Sequence, residues 1–149
     1  MQAACGLAQL DKLEGFVNAR KQNFSILKNS LAGLEEFLIL PEATEYSDPS
    51  WFGFPVTLRT NTGLERRKIL KFLDQKRIGT RLLFAGNITK QPYMAGRKFR
   101  ISSDLKNTEA IMNGTFWVGL HPSLNEEMLR YVVDTLSEAI QLEQQTLSS

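Results

Sequence analysis

The residues that could do chemistry in this chain are few, and most fall in two stretches. There is one histidine, His121, and one cysteine, Cys5. A lone thiol cannot close an internal disulfide and is too few for a structural zinc site. Cys5 lies among small apolar residues, which suits a packed position better than a nucleophile. No Gly-rich phosphate loop of dinucleotide or Walker type occurs, and no set of His and acidic residues has metal-ligand spacing. The first informative stretch runs from Arg81 to Tyr93. Arg81 offers a planar fork of donors suited to phosphate or carboxylate. Gly86 lets a backbone approach closely, and Asn87, Thr89 and Gln91 offer neutral hydrogen bonds of the kind that read a sugar or a base. The second stretch is Thr115-Phe116-Trp117-Val118-Gly119. Neighbours on a strand face opposite sides, so one of Phe116 and Trp117 packs while the other is free to line a pocket. His121 follows at the expected strand end, ahead of Pro122 and a helix start. A ligand contact and a structural role are both open for it. Trp51 and Phe52 pose the same question as Phe116 and Trp117, and for them the core is expected.

Charge points to the same region. The net charge of +2 conceals an uneven distribution. Residues 1–74 balance nine basic against nine acidic side chains; residues 75–103 carry seven basic and no acidic ones; residues 104–149 carry two basic and seven acidic. A 29-residue segment of charge +7 is a surface suited to an anion. Two other readings use the same residues. One is a solvated basic loop. The other is a stand-alone anion- or nucleic-acid-binding domain, for which Phe84, Tyr93 and Phe99 supply only a thin aromatic platform. The acidic final third is expected to face solvent.

The elements that must position these residues are legible from periodicity. Leu7, Leu10, Leu13, Phe16, Val17, Phe24, Leu27 and Leu31 recur at helical spacing and predict one long helix over 1–31. Its start has no capping side chain, which predicts a helix that continues from residues preceding Met1. Phe37 to Leu40 reads as a short strand, and residues 41–50 as loop. Phe52 to Leu58 alternates with period two, with Pro55 at an edge or a bulge. Residues 64–76 form a helix with Leu64, Ile69, Phe72 and Leu73 inward and Arg66, Arg67, Lys68 and Lys71 as a solvated face. Arg81 to Phe84 is a short strand, 85–103 a long loop, and Asn107 caps a short helix through Met112. Thr115 to Leu120 is the last strand. Ser123 and Glu126 form a capping box for a closing helix marked by Leu124, Met128, Tyr131, Val132, Leu136 and Ile140. This order predicts an α+β fold, a small sheet covered by helices, and long loops such as 85–103 are often functional.

Length and composition set the frame. A chain of 149 residues with 42% hydrophobic and 23% charged residues suits one domain with its own core. No stretch approaches the roughly 20 apolar residues of a membrane-spanning helix, and no export signal is visible. A reducing, cytoplasmic location is the expectation.

Several of these stretches resemble one family. Gln2-Ala3-Ala4-Cys5-Gly6-Leu7-Ala8-Gln9-Leu10-Asp11-Lys12-Leu13, followed after a spacer by Arg20, is similar to the helix pattern Q-A-A-x-G-x-x-Q-L-x-x-L of the DegT/DnrJ/EryC1/StrS sugar-nucleotide enzymes. Arg81 to Pro92, with its G-N-x-x-x-Q-P, and Asp104 to Pro122 resemble a narrower branch. That branch removes the 3-hydroxyl of a nucleotide-linked 4-keto-6-deoxyhexose in the biosynthesis of the dideoxyhexoses of lipopolysaccharide O-antigen. The resemblance implies a fold type I pyridoxal phosphate (PLP) architecture, of which this chain is the C-terminal small domain: 1–31 as the linking helix and 32–149 as the domain proper. It implies a large N-terminal domain that carries the pyridoxamine or pyridoxal phosphate pocket and lies outside this chain. It implies a [2Fe–2S] cluster on four cysteines in the parent, which one cysteine cannot supply here. The substrate implied is CDP-linked, and the parent is implied to be a homodimer served by a reductase. No catalytic, cofactor-binding or metal residue is expected in the chain, which is expected to be inactive alone. For substrate binding, the expectation is that the domain helps close the sugar-nucleotide pocket, with Arg81 at the diphosphate or nucleotide side, Asn87 and Gln91 near the sugar, and His121 with one of Phe116 and Trp117 along the wall.

Overall fold

The structure, a computed structural model, describes residues 1–148. Helix α1 spans Gln2–Leu31 without a capping side chain. Four strands follow, β1 (Leu38–Ile39), β2 (Gly53–Leu58), β3 (Thr80–Leu82) and β4 (Thr115–Gly119), forming one antiparallel sheet in the order β1-β2-β4-β3. Between them lie α2 (Arg66–Gln75) and α3 (Lys106–Gly114), and α4 (Glu126–Ser148) closes the chain. This is the α+β fold expected from the sequence.

The period of two in β2 sends Phe54, Val56 and Leu58 to one face, where all are buried. The register pairs Phe54 with Val118 and Val56 with Phe116, so the same face of β4 joins them. Helices cover that face: Phe24, Leu27 and Leu31 from α1, Ile69 and Leu73 from α2, and Leu129, Leu136 and Ile140 from α4 are all buried in one cluster. Burying each Leu, Ile or Phe contributes about 1.5–3 kcal/mol against leaving it in water. Trp51 stacks on Phe24 with ring centroids 4.5 Å apart and planes 4° from parallel. Only the second half of α1 takes part. Leu7, Leu10, Leu13 and Phe16 are exposed, an apolar stripe with nothing packed against it among the described residues.

The other sheet face carries Gly53, Pro55, Thr57, Trp117 and Arg81, and the buried apolar cluster does not extend onto it. Pro55 is not on an edge strand, since β2 lies between β1 and β4. Leu120 N–H donates to Phe52 O, and Arg59 N–H donates to Phe37 O. The odd-numbered residues of β2 therefore turn their backbone toward β1. That strand pairs only with Thr57 and Leu58, so the missing N–H of Pro55 removes no ladder bond.

Three other local expectations are corrected. Asn107 does not cap α3: Leu105, at φ 54°, precedes it, and Asp104 Oδ1 accepts from Lys106 N–H. The closing helix is capped by Asn125, whose Oδ1 accepts from Met128 N–H at 2.9 Å, while Ser123 bonds to His121 instead. Arg66 and Lys68 are not merely solvated. Arg66 Nη1 donates to Met112 O and Thr115 O, closing the end of α3 onto the start of β4. Burial holds its pKa below the ordinary value. Lys68 pairs with Glu65 and with the buried Glu143 of α4 at 2.9 Å, so one acid of the final third is interior.

Candidate functional site

The open sheet face gathers cations and aromatic rings at one end. Phe116 is fully buried on the helix side, which leaves Trp117 on the open face. The ring of Trp117 lies across Gly53 of the neighbouring strand so closely that any Cβ there would collide with it. Gly53 is thus what allows the indole to lie flat on the sheet. Phe52 was expected in the core, yet it is 70% exposed. Its ring turns round the sheet end to meet Trp117, with centroids 5.4 Å apart and planes tilted by 56°. That edge-to-face contact is favourable in its own right.

Two arginines flank the pair. Arg81 is directly opposite Trp117 in the β3–β4 register. It is exposed and donates only to the adjacent Thr80 O, at 3.1 Å. Arg20 of α1 lays its guanidinium over Phe52, 5.8 Å from the ring centroid. Its Nε is buried and has no hydrogen-bond partner among the described residues. An unpaired buried donor costs on the order of 1–3 kcal/mol. Arg20 and Phe52 escaped the reading of the sequence; the only signal for Arg20 was its place in the opening helix pattern.

His121 stands just beyond β4. Its Nδ1 accepts from Ser123 N–H at 3.2 Å and lies 2.7 Å from Ser123 Oγ. The neutral ring therefore carries its proton on Nε2, which is directed away from these contacts. The backbone carbonyl of His121 accepts from the buried Asn23 Nδ2 at 3.0 Å, tying this rim to α1.

The loop after β3 holds itself together with the polar residues expected near the sugar. Asn87 is buried, and its Oδ1 accepts from Thr89 N–H and Thr89 Oγ1 while its own N–H reaches Met112 Sδ. Gln91 Nε2 donates to Ala85 O at 2.6 Å. Lys90 bridges to Glu109 of α3 at 2.6 Å. Gly86, at φ 64°, packs against Met112 where a side chain would not fit. The structure thus places Arg81 opposite Trp117 and His121 two residues beyond β4, and gives Asn87 and Gln91 internal roles. Of the seven basic residues in 75–103, Lys76 pairs with Glu138 and Lys90 with Glu109. Arg77, Arg81, Arg97, Lys98 and Arg100 have no acidic partner among the described residues. The anionic preference of this region is therefore not cancelled internally.

A groove of about 680 Å³ lies between α4 and the β3 edge, lined by Arg77, Val118, Asn125, Met128, Arg130 and Tyr131. None of the expected site residues borders it. The paired strands of the open face carry Gly53, Pro55, Thr57, Arg81, Thr115, Trp117 and Gly119, with no lysine and no carboxylate among these residues. Cys5, expected at a packed position, is an exposed thiol on α1. Among the described residues no group of three or more His, Cys, Asp and Glu side chains converges, and no helix is long and apolar enough to cross a membrane.

A small antiparallel sheet, helices on one face and a long leading helix define the class: an α+β fold shared with aminotransferase-like enzymes. The same fold occurs in an E. coli GDP-4-keto-6-deoxy-D-mannose-3-dehydratase with bound hydrated PLP, at TM-score 0.78 and 23% identity over 88% of this chain and 33% of that one. It occurs also in S. venezuelae DesV in complex with a ketimine intermediate, at TM-score 0.79 and 23% identity over 95% of this chain and 36% of that one. The chain belongs to the DegT/DnrJ/EryC1/StrS aminotransferase family, whose profile matches residues 1–137. It is 59% identical over 138 residues to the lipopolysaccharide biosynthesis protein RfbH of Salmonella typhimurium, covering 93% of this chain and 32% of that protein. It is 43% identical over 140 residues to the dTDP-4-dehydro-2,6-dideoxy-D-glucose 3-dehydratase of Saccharopolyspora spinosa, covering 94% of this chain and 30% of that enzyme. The chain thus spans about a third of the length of these relatives.

Proposed function

We propose that this chain is the small-domain third of a nucleotide-sugar 3-dehydratase and that its open sheet face closes over the anionic substrate. The observation that carries the reading is the pairing of Arg81 with Trp117 across two strands on the sheet face opposite the apolar core. A guanidinium beside a flat indole suits a phosphate next to a planar or sugar ring. The likeness to a dTDP-sugar 3-dehydratase and to RfbH supports the substrate class. The substrate we favour is a CDP-linked 4-keto-6-deoxyhexose, with Arg81 on the diphosphate and Trp117 and His121 along the wall. Asn87 and Gln91 act as positioning residues that fix the loop beside it. His121 presents its Nε2–H as a donor to a sugar or phosphate oxygen.

The chemistry of a pyridoxamine or pyridoxal phosphate cofactor, and any iron–sulfur cluster, would belong to the remaining two thirds of a full-length protein. So would the homodimer contacts, the docking of a reductase and a cytoplasmic setting. The stripe of Leu7, Leu10, Leu13 and Phe16 would receive part of that remainder. On this reading the chain alone turns over no substrate. The test is to supply the missing two thirds and measure loss of the 3-hydroxyl from the CDP-linked sugar. Arg81→Ala should then raise KM at least tenfold with a smaller change in kcat, because a phosphate contact remote from the reacting carbon binds ground and transition states alike. An unchanged KM would remove Arg81 from the site.

A further inference from the structure

The side chain left unexplained by the proposed site is Arg20. Its guanidinium carbon lies 5.8 Å from the Phe52 ring centroid, and the side chain has no hydrogen bond or ion pair among the described residues. A cation–π contact supplies no acceptor to the N–H edge of a guanidinium. The Nε–H on that edge is shut off from water and unpaired. Buried donors are almost always paired, so this rotamer does not satisfy the side chain. The residue is also placed with purpose. Phe52 bridges Arg20 to Trp117, and Trp117 is opposite Arg81. Two arginines without an acidic partner among the described residues therefore flank one aromatic pair.

We propose that Arg20 is a second phosphate-binding residue of this face, held over Phe52 at rest and turning its N–H edge to a phosphate oxygen when a nucleoside diphosphate binds. This rests on the reading of the face as a nucleotide-sugar site and adds to it a residue and a division of labour. Arg81 and Arg20 hold the diphosphate from two sides, and the Phe52–Trp117 pair meets the flat ring attached to it. The two-armed charge accounts for a diphosphate in preference to a single oxyanion, and the exposed ring of Phe52 accounts for a preference for nucleotide over pyrophosphate.

The test is titration calorimetry on the 149-residue chain with CDP, inorganic pyrophosphate and cytidine, using the wild type, Arg20→Gln, Arg20→Lys and Arg81→Ala. Near-ultraviolet circular dichroism controls for folding. Arg20→Gln should weaken CDP and pyrophosphate at least tenfold and leave cytidine unchanged. Arg20→Lys, which keeps charge and fold but loses the fork, should fall between it and the wild type. If both Arg20 variants bind pyrophosphate like the wild type while Arg81→Ala loses it, the inference is overturned and the broader site reading stands. If the wild-type chain binds neither CDP nor pyrophosphate at millimolar concentration, the site reading falls and the role of Arg20 falls with it.

Discussion

At the scale of single residues, Gly53 and Phe116 separate what the sheet needs from what the site needs. Gly53→Ala must push Trp117 off the strand, because the indole occupies the space a Cβ would take. The expected outcome is a changed Trp117 fluorescence and weaker nucleotide binding with a modest loss of stability. Phe116→Ala opens a cavity in the sealed core and should cost about 3–5 kcal/mol, a fall in Tm of roughly 10 °C by thermal melting. Ligand affinity in the fraction that stays folded should not change. The sequence showed that one of Phe116 and Trp117 had to face outward, because strand neighbours diverge. It could not say which, since that depends on the register with β2. Arg20 and Phe52 were missed for a related reason. They meet only because the end of β2 curls toward a helix more than 30 residues earlier in the chain, a contact without local periodicity.

At the scale of elements, the α2–α4 contact is fastened by Lys68 and Glu143. Hydrogen bonds from Lys68 to Glu143 and then to Glu65 hold the lysine pKa above its ordinary 10.5. A raised pKa means the pair stabilises the fold fully below the unfolded value and loses that contribution as pH rises through the folded one. The stability difference between wild type and Lys68→Met should therefore be flat between about pH 6 and 9 and shrink only above the ordinary lysine pKa. Urea melts across pH test this. Lys68→Met leaves Glu143 buried without its cation, so adding Glu143→Leu should restore part of the loss. The helices and strands were largely readable because their apolar residues keep strict periods of 3.6 and two. The caps were less so. Ser123 and Glu126 have capping-box spacing, yet Asn125 lies nearer the helix and His121 takes the Ser123 hydroxyl. Pro55 misled for a physical reason as well. An interior strand tolerates proline where its neighbour is only two residues long.

At the scale of the whole molecule, the two faces of the sheet have opposite characters. One is sealed by three helices around a continuous apolar core; the other presents arginines and aromatic rings outside that core. The charge segregation seen along the sequence survives folding, because five of the seven cations in 75–103 find no acid to pair with. The most direct measurement is NMR of the isotopically labelled 149-residue chain titrated with a CDP-linked hexose. The account predicts shifts concentrated at the Trp117 indole, Gly53, Arg81 and His121, with the helix-covered face unmoved. Shifts confined to the groove between α4 and β3, or none at all at millimolar ligand, would contradict it.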